Sequence, residues 1–228
     1  MLLYIVRHGE PDYSTDTLTE LGQRQAEAVS LRMAESRIGA IYASPMGRAR
    51  QTAAPTAAKL GLPIRIEPWA EELGRESQTP YPDGKMKNIF MVPTTLLASQ
   101  ESSAIGMEDC LTECAGLCEN GFSSRFQYVA NGIDSLIERH GYRRNDRGFY
   151  CAESANEDRI ALFCHAGMTR LALSHIFNLP YQLIGSRLLA WFTGVTIVQF
   201  KPDAQVGEEV APRLYSFGDI GHLHGDPH

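Results

Sequence analysis

At 228 residues and 25.3 kDa the chain is long enough for one sizeable domain, and 43% hydrophobic residues are enough for a core and argue against general disorder. Twenty-one Lys and Arg against 27 Asp and Glu leave a net charge of −6 with no basic cluster, which gives no sign of a nucleic-acid binder. An anionic substrate is not excluded, because a pocket can focus a local positive field.

The N-terminal "MLLYIV" lacks a basic flank and runs straight into Arg7, so no signal peptide is expected, and no apolar run approaches membrane-spanning length. Five cysteines are an odd number in a chain too large to depend on staples, which predicts a reducing, cytoplasmic setting.

Residues 2–6 are β-branched and aromatic and predict a strand buried on both faces. The following segment predicts a helix capped by Thr19, running to about residue 36, with Leu21, Ala28, Leu31 and Met33 as its apolar face. "IGAIYAS" (38–44) predicts a second strand. "MGRARQTAAPTAAKLG" (46–61) predicts a helix closed by Gly61, with a kink or restart at Pro55. "PIRIEP" (63–68) predicts a third strand.

From about 75 to 154 the pattern loosens into an expected helical insertion or cap, turn-rich at first, then helical around 107–119 and 123–140. "DRIALFCHAG" is a second apolar strand ending in a histidine, with the helix "MTRLALSHIFN" behind it. Late strands are expected at 195–200 and 213–217. Alternating strands and helices predict a single α/β domain over 1–228, a three-layer α/β/α sandwich around a mostly parallel sheet.

In such sheets ligands sit beyond the carboxyl ends of the strands. Arg7–His8–Gly9 and His165–Ala166–Gly167 both occupy that position, so two imidazoles from distant parts of the chain can meet over one sheet edge. The helix behind His165 starts with free N–H groups, Ala166 first, that favour an anion. Arg48, near a helix start at the same edge, stands where the helix dipole disfavours a cation; its position makes sense if an anion shares the site. Glu71 and Glu72 follow the third strand, where one carboxylate can serve as a proton donor.

Those elements in that order, "RHG" after the first strand, "LTELGQRQA", "SPMGRARQTA", a Glu, and a late strand running into His-Ala-Gly, together resemble the histidine phosphatase superfamily, the phosphoglycerate mutase-like family. The resemblance covers residues 2–73 and about 158–180. It implies the phosphoglycerate mutase-like fold, and a phosphomonoesterase acting on a small phosphorylated metabolite through a phosphohistidine, with no metal and no cofactor. By the same resemblance His8 is the nucleophile, and Arg7, Arg48 and His165 hold the phosphate oxygens. Glu72 is the general acid, with Glu71 the fallback. A phosphotransferase or cofactor-dependent mutase using the same intermediate is the first alternative; a binding module without turnover is the second. "RHGEPDYS" departs from the longer family start "RHGETxWN", leaving Ser14 as a further phosphate donor.

The remaining polar features have plainer readings. Cys110, Cys114 and Cys118 fall on one helical stripe and are expected as small core side chains, not a metal site. Arg75, Tyr81, Lys85, Lys87 and Arg125 could face substrate or be solvated surface groups. His222, His224 and His228 are expected as a loose end near the rim of the site. A homodimer is left open, and neither a nucleic acid nor a membrane is an expected partner.

Overall fold

A computed structural model of the chain describes residues 1–74, 78–80, 85–88, 121–179 and 181–223. The expected helix at 107–119, its three cysteines, and Arg75, Tyr81, His224 and His228 lie outside the described residues, as does the Lys87 side chain.

The chain opens with β1 (Leu2–Arg7), a small hairpin of β2 (Pro11–Asp12) and β3 (Thr17–Leu18), and helix α1 (Glu20–Glu35). Strand β4 (Ala40–Ala43), helix α2 (Gly47–Leu60) and β5 (Ile64–Ile66) follow. A second hairpin joins β6 (Gln78–Pro80) to β7 (Met86–Asn88). Then come α3 (Phe122–Glu138), β8 (Tyr142–Arg144), β9 (Tyr150–Ala152) and β10 (Arg159–Cys164). The chain continues through α4 (Ala166–Phe177), α5 (Tyr181–Arg187), β11 (Val195–Gln199), β12 (Glu209–Val210) and β13 (Arg213–Asp219).

Six strands form the central sheet in the order β13-β11-β1-β10-β4-β5. β1, β10, β4 and β5 pair in parallel, and β11 alone runs against its neighbours, so the sheet is mostly parallel as the alternating pattern predicts. Both faces are covered. Tyr4, Val6, Ala43, Ala161 and Phe163 point toward Val29 and Met33 of α1 and Ala53 of α2. Leu3, Ile5, Tyr42, Leu162 and Cys164 point the other way, into a cluster with Val129, Ile133 and Leu136 of α3 and Leu171 and Ala172 of α4. That second cluster also holds Tyr142, Tyr150 and Ala152. The stretch expected as an insertion is therefore, over residues 121–152, built into the main core.

Two local expectations change. The buried stripe of α1 is Gly22, Gln25, Ala26, Val29, Ser30 and Met33, whereas Leu31 is exposed. The helix is rotated from its most apolar face because Gly22 must lie against the loop after β1: a Cβ there would sit 2.1 Å from the Glu10 carbonyl oxygen. Helix α2 runs unbroken through Pro55 and ends at Gly61, whose φ of 64° closes it. Thr19 caps α1 as its sequence predicts, accepting from the Gly22 N–H at 3.0 Å.

Candidate active site

The carboxyl ends of β1, β10 and β4 deliver His8, His165 and Ser44 to one edge of the sheet. The register sets Arg7 beside Cys164 and Val6 beside Val195, so the loop entering β11 arrives at the same edge. The His8 and His165 rings lie with centroids 5.2 Å apart, 2% and 0% exposed. Two imidazoles 157 positions apart in sequence thus share one buried pocket.

The His8 backbone is held on both sides, its N–H donating to the Cys164 carbonyl at 2.9 Å and its own carbonyl accepting from the Thr193 N–H at 3.2 Å. Its Nδ1 lies 2.7 Å from the Gly9 carbonyl oxygen. A carbonyl only accepts, so Nδ1 carries the proton and Nε2 keeps its lone pair. Burial pushes the His8 pKa down to about 3, with Arg7 and Arg48 adding to the effect against the Gly9 hydrogen bond. The ring is neutral.

Gly9 follows because nothing larger fits: a Cβ would stand 2.6 Å from the Gly22 carbonyl oxygen. The Gly9 N–H donates to Thr52 Oγ1 at 3.0 Å, and that hydroxyl donates to the Arg48 carbonyl at 2.7 Å, joining the loop to α2.

Arg7 donates from Nη1 to the Ala190 carbonyl at 2.6 Å and stacks its guanidinium 4.0 Å above the Phe192 ring. Burial lowers its pKa, and the nearby Tyr13 and Glu72 oppose that shift. Arg48, 5% exposed, pairs through Nη1 with Asp16, whose other oxygen accepts from the Gly47 N–H at 2.6 Å. The anion beside the cation at this helix start is thus Asp16. Arg50 is exposed, as a surface arginine should be.

His165 accepts or donates through Nε2 to Ser44 Oγ at 2.8 Å, while its buried Nδ1 has no partner. Burial first, then His8, Arg48 and Arg7, drive its pKa well below the ordinary histidine value. The imidazole is therefore neutral at rest, buried with His8 and two arginines beside it.

Glu72 reaches the first turn of α4: Oε2 accepts from the Gly167 N–H at 3.2 Å, and Oε1 from Met168 at 3.1 Å and its own neighbour Leu73 at 2.9 Å. The free N–H groups expected to draw an anion have drawn this carboxylate, leaving Ala166 ahead of them at the helix start. Glu71 is exposed and contributes only its carbonyl, to Arg125 Nη2 at 2.7 Å. The loop bearing both is pinned by Trp69, which packs flat on Gly132 of α3 and donates to Glu67 at 2.6 Å.

Ser14 takes another course. Its hydroxyl donates to Asp12 at 2.6 Å in an exposed turn, so its single proton is not available to a phosphate there. Lys85 is exposed. Among the described residues no group of three or more His, Cys, Asp or Glu could hold a metal ion.

Several participants carry no clear signal in the sequence. Ser44 stands in the "SPMGRARQTA" element and could have been noticed there as the hydroxyl ending a strand. Tyr13, 70% exposed, places its ring 5.5 Å from the Arg48 guanidinium and also interacts with Arg7. Arg170, 5% exposed, donates to the Leu188 carbonyl at 2.6 Å and feels Glu72. Asp16 and Phe192 sit in loops whose composition says nothing of their contacts.

The profile of the histidine phosphatase superfamily (branch 1) matches residues 3–79. A curated relative described as a probable phosphoglycerate mutase GpmB, from Photorhabdus laumondii, is 38% identical over 80 residues, 31% of this chain and 37% of the relative. The matched segment thus spans a little over a third of that relative's length. Among solved structures, the phosphoserine phosphatase of Entamoeba histolytica with 3-phosphoglyceric acid superposes with a TM-score of 0.62 at 17% identity, covering 97% of this chain and 98% of that one. The mycobacterial glucosyl-3-phosphoglycerate phosphatase with VO3 gives a TM-score of 0.59 at 17% identity, over 95% and 98%. At such identities these are likenesses of fold, and they extend over the whole chain the architecture that the profile matches in its first third. Residues 3–79 thus resemble the histidine phosphatase superfamily in sequence, and both strand-end histidines and both arginines stand in one pocket on a fold like that of these solved phosphatases.

Proposed function

We propose that this chain is a phosphomonoesterase that takes the phosphoryl group of a small phosphorylated metabolite onto His8 and passes it to water. One observation supports this above the others. Arg7 Nε, Arg48 Nε and His165 Nδ1, all around His8, are buried without a hydrogen-bond partner. Buried polar atoms in native proteins are nearly always paired, and three orphans in one pocket call for a ligand that accepts from all of them. A phosphate does so.

The His8 Nε2 lone pair attacks phosphorus in line with the ester oxygen; the N–P bond forms as the P–O bond to the leaving group breaks. Arg7 and Arg48 meet the charge on the transferring oxygens, for which planar guanidinium groups are suited. The arriving dianion raises the pKa of His165 and favours its protonated form. Glu72, protonated, gives its proton to the departing alkoxide; as a carboxylate it then takes one from the water whose oxygen displaces His8 from phosphorus. Arginine, imidazole and backbone N–H groups carry the charge in this scheme, and no step calls for a metal or a cofactor. We place the protein in the cytoplasm, where its buried Cys164 thiol and the free Cys151 stay reduced.

The likeness to a relative described as a mutase supports a second reading, in which another hydroxyl replaces water as the acceptor. The experiment is phosphate release from an aryl phosphate and a panel of phosphorylated metabolites in excess chelator, for wild type and His8→Ala. Chelator-resistant release that vanishes in His8→Ala is expected. Release that survives the substitution would remove His8 from the mechanism. Slow release accelerated by a bisphosphorylated cofactor would favour the transferase reading.

A further inference from the structure

The C-terminal segment 213–223 is tied to the pocket by a chain of hydrogen bonds that the mechanism does not use. Arg32, on α1, donates through Nη2 to Asp219 Oδ2 at 2.8 Å and through Nη1 to the Asp219 carbonyl at 3.1 Å. The same Nη1 lies 3.4 Å from His222 Nδ1. A guanidinium only donates, so Nδ1 of His222 accepts and its proton sits on Nε2. That Nε2 is 3.0 Å from Thr193 Oγ1, whose own hydrogen goes to the Phe192 carbonyl at 2.8 Å. Every member has one consistent role: arginine to histidine, histidine to threonine, threonine to backbone.

What this chain holds is a strained turn. Thr193 is fully buried with φ of 52°, a left-handed conformation that a β-branched residue adopts only when its surroundings impose it. The turn it sets is the one the site depends on. Ala190 accepts from Arg7, Phe192 lies under the Arg7 guanidinium and 5.8 Å from the His8 ring, and the Thr193 N–H holds the His8 carbonyl. Relaxing Thr193 to an ordinary φ moves all three.

We infer that His222 is a positioning residue for the phosphate pocket, holding Thr193 in its left-handed turn and through it fixing Arg7 and His8. This rests on the reading of the pocket as a phosphate site. It also gives "GDIGHLHGDPH" a role in place of the loose end expected from sequence, as far as His222.

The test compares wild type, His222→Ala, His222→Gln, Thr193→Gly and the double variant His222→Ala/Thr193→Gly. Each is measured for orthovanadate affinity, for kcat and KM on the best ester, and for thermal stability. His222→Ala should weaken orthovanadate binding and lower kcat/KM by about fivefold to tenfold, the scale of one hydrogen bond. His222→Gln, which keeps a donor on a side chain of similar reach, should recover most of the loss. Glycine adopts the left-handed turn without strain, so His222→Ala should cost less in the Thr193→Gly background than in wild type. Unchanged affinity and kinetics in His222→Ala would overturn the inference. So would equal losses in Ala and Gln that follow thermal stability alone. A wild type that hydrolyses nothing yet shows the same Ala and Gln pattern with orthovanadate would sink the phosphatase reading and leave the role of His222 standing. A wild type that binds no oxyanion would sink both.

Discussion

The Glu72 carboxylate rests on the first turn of α4, its Oε1 3.1 Å from the Met168 N–H. The proposed proton donor is thus stored on the helix that His165 begins, accepting hydrogen bonds from its first backbone N–H groups. It must leave them, or share them, to act as an acid. A side chain held this way is positioned by the backbone, and its neighbour Glu71, exposed to solvent, is not.

Glu72→Gln should therefore separate chemistry from structure. The amide oxygen can keep the Met168 and Leu73 N–H groups while the NH2 meets the Gly167 N–H, so the fold should persist at a cost of about 1–2 kcal/mol. Turnover of alkyl phosphates, which need a proton on the leaving oxygen, should fall by roughly a hundredfold or more. Aryl phosphates with an acidic leaving phenol should suffer less, and Glu71→Gln should behave as wild type with both. Steady-state kinetics on the two ester types reads the difference; a larger effect at Glu71 would transfer the role.

Gly47→Ala makes a sharp test of backbone packing, because two effects of opposite sign compete. Ala in a helix is favoured over Gly by about 1 kcal/mol. At Gly47, however, a Cβ would stand 2.3 Å from the Asp16 carbonyl oxygen, a backbone atom that cannot swing aside. Overpacking of that kind costs about 1–3 kcal/mol and should win. Urea unfolding should show net destabilisation. The displaced Asp16 should also release Arg48, raising KM; a stabilised variant with unchanged KM would show the contact to be soft.

Those glycines explain why so much of the site was legible in the sequence. "RHG", "LTELG" and "SPMGR" are read together because Gly9 and Gly22 let the loop after β1 meet the start of α1 backbone to backbone, and Gly47 lets α2 meet the Asp16 backbone between them. What was not legible acts through contacts that leave no local pattern. Leu31 looked like core because its type is apolar, but Gly22 fixes the helix rotation and leaves it in water. Glu72 meets its N–H partners 95 and 96 positions away, Asp16 is one acidic loop residue among several, and Thr193 matters through its φ. Ser14 fits the family's sequence position, yet its turn bonds it to Asp12.

Arg48→Lys keeps the charge and should still fail. Arg48 uses Nη1 for Asp16 and Nη2 for the Met46 sulfur at 3.3 Å, which leaves Nε as the unpartnered donor. A lysine ammonium is a single point that cannot hold Asp16 and face the phosphate from separate nitrogens. Loss of one charge-assisted hydrogen bond predicts a fall in kcat/KM of about tenfold to hundredfold, with weaker orthovanadate binding in proportion. Full affinity in Arg48→Lys would mean that charge alone is needed at this position.

The two buried imidazoles also fix how stability depends on pH. His8 titrates near 3 in the folded protein against about 6.5 in the unfolded chain, and His165 is shifted in the same direction. Between those values the unfolded state binds protons that the folded state refuses, so stability rises with pH across the window and is flat above it. Falling from pH 6.5 to 5, one such histidine costs on the order of 2 kcal/mol. Urea titrations at pH 7.5, 6 and 5 should show the midpoint dropping with pH in wild type and dropping less in His8→Gln, which has nothing to protonate. Phosphate should oppose the trend, because a dianion between Arg7 and Arg48 stabilises protonated imidazole in the folded state alone. If wild type and His8→Gln lose stability in parallel, His8 is not the buried neutral base that its hydrogen bond to Gly9 describes.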